Sequence, residues 1–128
     1  MQTAFLVFLG GGIGSVLRWL VGLGALRWLG PAFPWGTLAV NLLGGLAMGL
    51  LARLVVALPS GGQEARFFLM TGILGGFTTF SAFSLDAATL WMRGETGQAA
   101  LYVAISVAGA LGALAAGLWL GGVLAGGR

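Results

Sequence analysis

The chain has 128 residues, of which 59% are hydrophobic and only 7% charged, with a formal net charge of +3. A soluble domain carries roughly 25% charged residues, so this composition excludes one and describes a polytopic membrane protein, with four spans of about 20 residues filling most of the length. Cysteine and histidine are both absent, which removes disulfides, thiolate chemistry and cysteine metal sites, and no length is left over for a soluble catalytic domain.

The first span is expected over residues 4–23. Met1, Gln2 and Thr3 before it lack the basic region of a secretory signal, so the segment is read as retained. Pro31 and Pro34 punctuate the loop before a second span over 36–58, and Pro59, Ser60, Gly61 and Gly62 form a stop and turn. A third span over 66–92 carries an interruption at 75–78, Arg93 to Gly97 close it, and a fourth runs over 98–120. The chain is thus expected to be an all-α membrane protein, one domain over 1–128. Small residues at four-residue spacing, Gly10 and Gly14, Gly45 and Gly49, and Ala113, Gly117 and Gly121, predict close helix packing.

Polar residues within the spans carry the functional signal, because they are costly where they meet lipid. In the second span Thr37 and Asn41 share a helix face, and the Asn41 amide is suited either to meeting an anion or to tying two helices together. In the fourth span Tyr102 and Ser106 repeat that spacing, with Ala110 continuing the stripe. In the third, Gly72, Gly75 and Gly76 suggest a helix break, and Thr78 and Thr79 are placed to cap the restarted helix. A break frees carbonyls for a small cation and amides for an anion. Phe80 and Phe83 share a face after the break, where they serve either as packing or as aromatic edges turned to an anion. Asp86, late in the span, reads as interfacial.

The arginines sit singly at the ends of apolar runs, without a basic tract or aromatic ladder, so nucleic acid is not expected as a partner. Across four spans Arg53, Arg66 and Arg128 fall on one side and Arg18, Arg27 and Arg93 on the other, three against three. The positive-inside rule then selects neither orientation. The expectation is insertion both ways up and an antiparallel dimer, unless a feature as small as the N-terminal amine decides the balance.

Three motifs together resemble the CrcB/Fluc family of small fluoride channels over essentially the whole chain: Gly11-Gly12-Ile13-Gly14-Ser15-Val16-Leu17-Arg18, Gly36-Thr37 through Asn41 to Gly44, and Gly75-Gly76-Phe77-Thr78-Thr79-Phe80-Ser81-Ala82-Phe83. The resemblance implies an antiparallel, dual-topology dimer of four-helix subunits, each with a broken third helix, in the bacterial inner membrane. It implies passive fluoride efflux along two pathways lined by Asn41, Phe80, Phe83, Thr37, Thr79, Tyr102 and Ser106, with Arg18 toward a vestibule. It also implies a structural sodium ion at the dimer centre, held by the Gly75 and Thr78 backbone carbonyls, and leaves a heteromer with a similar subunit open. Ala110 departs from the family by standing where serine is common, and Ala82 by replacing a common threonine. The alternatives are a proton-coupled fluoride exporter using Asp86 or Glu95, or a non-transporting scaffold. An enzyme is not expected.

Overall fold

A computed structural model describes residues 1–56, 58 and 62–126, which are helical apart from short connections. Four helical stretches are long and apolar enough to cross a membrane: Gln2–Leu29, Trp35–Leu54, Gly62–Met92 and Thr96–Leu124. The first and second are α1 and α2. The third is composite, running through α3 (Gly62–Arg66), a π-helix (Phe67–Leu74), α4 (Gly75–Phe77) and α5 (Phe80–Met92), and the last stretch is α6. The expected turn at Pro59, Ser60 and Gly61 and the expected place of Arg128 lie outside the described residues.

The helix ends follow from local chemistry. At the end of α1, Gly30 takes φ 79 while its N–H reaches the Leu26 carbonyl, and Pro31 follows. After α5, Gly94 at φ 80 donates to Trp91 and Glu95 donates to Leu90, at 3.0 Å each, which is a Schellman closure. The first and last helices run beyond the expected spans 4–23 and 98–120, with α1 reaching Leu29 and α6 Leu124.

Glycine builds two tight seams. Along α2 and α6, a β-carbon at Gly45 would stand 2.8 Å from the Ala110 carbonyl, and one at Gly49 would collide with that of Leu114. In return, Gly117 and Gly121 admit the carbonyls of Leu46 and Leu50. The second seam joins α1 to the third span: Gly10 lies against Phe68 and Gly72, Gly14 against Ile73 and Phe77, and Gly76 against Gly11. Such contact replaces the water-driven term that is missing between helices in lipid.

This second seam corrects the expected cause of the interruption. Gly72 and Gly76 lie within continuous helix and are needed for packing on α1, while Gly75 is helical at φ −62. The chain actually leaves helical geometry at Thr78 (φ −83, ψ 159) and Thr79 (φ −155, ψ 119). The break therefore belongs to the two threonines, whose branched side chains favour extended backbone.

Candidate functional site

Thr78 and Thr79 are held by side chains from two other helices. Thr79 donates its N–H to Asn41 Oδ1 at 2.8 Å, and its carbonyl accepts from Asn41 Nδ2 at 3.0 Å. One amide of α2 thus satisfies both backbone polar groups of a residue that has left the helix. Asn41 joins helices, and its second amide hydrogen remains available beyond the Thr79 bond. Thr78 folds back on the preceding half-helix, since its N–H and its Oγ1 both donate to the Leu74 carbonyl at 3.0 Å. From α1, Arg18 Nη1 donates to the Thr78 carbonyl at 3.2 Å. The Thr78 methyl enters a notch that exists because residue 44 is glycine.

The two threonines divide the capping work. Thr78 closes the helix that ends at Phe77, and Thr79 opens α5, with its Oγ1 accepting from the Ala82 N–H at 3.1 Å. The earlier half-helix thereby turns its carbonyl end to the break, and α5 turns its amide end there. With the Thr79 N–H drawn to Asn41, the Gly75 carbonyl loses the donor it would meet in an unbroken helix. The N–H groups of Phe80 and Ser81, first in α5, have no carbonyl one turn back to bond.

Beside the break lies an open groove of about 450 Å³, whose lining includes Asn41, Thr79, Phe80, Phe83, Ser106 and Ala110. Ser106 is buried, and its Oγ has no hydrogen-bond partner among the described residues. The two phenylalanines differ in setting: Phe83 is 8% exposed and Phe80 78%, with ring centroids 5.3 Å apart. Phe83 continues inward to Tyr102 at 5.4 Å, and Phe33 meets the same tyrosine edge-on at 5.5 Å.

Tyr102 is fully buried and donates to Asp86 Oδ2 at 3.2 Å. Asp86, Thr37, Phe33 and Arg93 line a second cavity of about 340 Å³. Tyr102 is therefore bracketed by a ring lining each cavity, and the α2 stripe has Thr37 in one and Asn41 in the other. The expected pathway residues Asn41, Phe80, Phe83, Thr79 and Ser106 share the groove, while Thr37 sits at the other cavity and Tyr102 between them. Gly75 and Thr78 lie at the break, as does Arg18, whose contact is a backbone carbonyl.

Sequence reasoning missed the bond joining Asp86 to Tyr102, the notch at Gly44, and Phe33 packed on Tyr102. The three-residue step from Phe83 to Asp86 was a signal that the acid shares the aromatic face of α5.

Residues 5–118 match the family described as "CrcB-like protein, Camphor Resistance (CrcB)". A protein of Mesorhizobium japonicum named "Fluoride-specific ion channel FluC" is 55% identical over 120 residues, covering 94% of this chain and 96% of the relative. Proteins of the same name from Rhizobium etli CIAT 652 (55% over 118 residues, 92% and 94% covered) and Agrobacterium fabrum C58 (53% over 121 residues, 94% and 97% covered) are similar along the same span. With its four apolar helices, its broken third span and this shared length, the chain is a multi-pass membrane protein and belongs to the CrcB family.

Proposed function

We propose that the protein is a fluoride-selective channel through which fluoride leaves the cell passively, lowering its cytoplasmic toxicity. The observation that carries this reading is the groove beside the break. Asn41 and Thr79, together with the amide end of α5, stand next to the rings of Phe80 and Phe83 and the unpartnered Ser106 hydroxyl. A small, strongly hydrated anion needs close donors to replace its water, and a narrow apolar surround disfavours larger ions. Amides, hydroxyls and positively polarised ring edges supply such contacts from a lining that carries no charged side chain. Relatives more than half identical over nearly the full length carry the name of a fluoride-specific channel. A channel needs no catalytic centre, and the protein is read as a channel and not an enzyme.

The proposal extends to an antiparallel, dual-topology homodimer in the bacterial inner membrane, with a heteromer as its variant. Phe80, on the wall of the groove, is largely exposed in the subunit, and Gly75 is exposed with only the Met70 carbonyl, at 3.8 Å, near a β-carbon placed there. Neither needs this arrangement for its own subunit, and both fit the approach of a second copy. A structural sodium ion between subunits would find hard oxygen donors in the carbonyls of Gly75 and Thr78. The first has lost its helical donor, and the second keeps one lone pair beyond its bond from Arg18.

The test is fluoride release from potassium-fluoride-loaded liposomes with valinomycin present, set beside matched chloride-loaded vesicles. Rapid electrogenic fluoride release with little chloride release is expected. A proton-coupled exporter is the second reading, favoured by the bond from the buried Tyr102 to Asp86. Release driven by an imposed pH gradient would establish that reading instead.

A further inference from the structure

Arg18 stands well inside α1, short of the helix end at Leu29, and its guanidinium meets a backbone carbonyl. An arginine that only drew anions toward a mouth would keep its donors in water. This one spends a charge-assisted bond on Thr78, the first of the two residues that leave helical geometry. Thr78 also ends the half-helix that closes at Phe77, so the guanidinium sits at the negative end of a helix dipole. Register brings it there: Gly14, one turn earlier on α1, packs directly on Ile73 and Phe77. Asn41 grips Thr79 from α2, so the two extended residues are held from opposite neighbours, one by each side chain.

We infer that Arg18 is a positioning residue for the break, fixing the Thr78 peptide so that Thr79 meets Asn41 and the first turn of α5 faces the groove. Its effect on permeation rests on the channel reading above; its effect on the break does not.

The full-length chain and its Arg18→Met, Arg18→Lys and Arg18→Gln variants are compared in lipid by two measurements. These are hydrogen exchange at the Thr79 amide, and fluoride release from liposomes at low and high ionic strength. In Arg18→Met, Thr79 exchange rises about tenfold or more and fluoride release falls by a similar factor, as loss of a hydrogen bond to a charged group implies. Because the defect is geometric, its size is the same at both salt concentrations. Arg18→Lys, which keeps a donor of comparable reach, restores most of the protection, whereas the shorter Arg18→Gln does not. The inference is overturned if Thr79 exchange in Arg18→Met equals that of the parent while the flux deficit shrinks with added salt, the behaviour of a screened charge. Should Arg18→Met fail to fold, the lysine and glutamine variants decide, and equal, parent-like protection in both overturns it. If the parent protein passes no fluoride, the channel reading fails and Thr79 exchange still decides the role of Arg18.

Discussion

Asn41 commits one carbonyl and one amide hydrogen to a single residue, Thr79. Asn41→Asp keeps an acceptor for the Thr79 N–H, loses the donor to its carbonyl, and sets a negative charge beside the groove. Fluoride release is expected to fall by at least about tenfold, since a lost donor and an added like charge act together; an unchanged rate would remove Asn41 from the path. Ala110 lines the same groove without a polar atom. Ala110→Ser should change the rate or occupancy of fluoride while retaining selectivity over chloride, measured by flux with competing halide; if neither rate nor occupancy changes, the position plays no part. Asn41 and Thr79 were legible in the sequence because polar groups at membrane depth need a reason. The target of Arg18 was not, since its partner lies 60 positions away and a backbone carbonyl leaves no mark in side-chain pattern.

At the scale of helices, the four-residue glycine steps of α2 and α6 were readable as packing, and they form the reciprocal seam of Gly45, Gly49, Gly117 and Gly121. Their measurable counterpart is a pair of substitutions. Gly117→Ala drives a methyl into the Leu46 carbonyl and should destabilise the fold by about 1–3 kcal/mol. Gly112→Ala meets nothing within 4 Å and should be neutral or stabilising by up to about 1 kcal/mol. Unfolding in mild detergent separates the two. The interruption of the third span was legible in its existence and misplaced in its cause. Glycine's weak helix propensity pointed to residues 72, 75 and 76, but Gly72 and Gly76 gain close packing on α1 and all three stay helical. The π-helix at Phe67–Leu74, which packs on Gly10 and Gly14 of α1, had no counterpart in the sequence reading.

The whole molecule was legible as four membrane helices with one broken, because hydropathy and length decide that much. The proposed pairing rests on the even arginine tally expected from the sequence and on surfaces the subunit leaves uncovered. Gly75→Ala tests the second: one subunit has room for the methyl, so the helical content should be unchanged while the dimer fraction falls, as read by cross-linking in bilayers. Labelling of engineered cysteines from each face of the membrane should find both orientations, and a single orientation would refute the antiparallel arrangement. A last consequence concerns acidity. Every residue lining the groove is amide, hydroxyl, thioether, ring or aliphatic, and none of those side chains ionises between about pH 4 and pH 9. On the proposed reading, the groove's hold on an anion is therefore written in backbone direction and ring placement and cannot be titrated away. An acidified cytoplasm would meet the same groove lining as a neutral one.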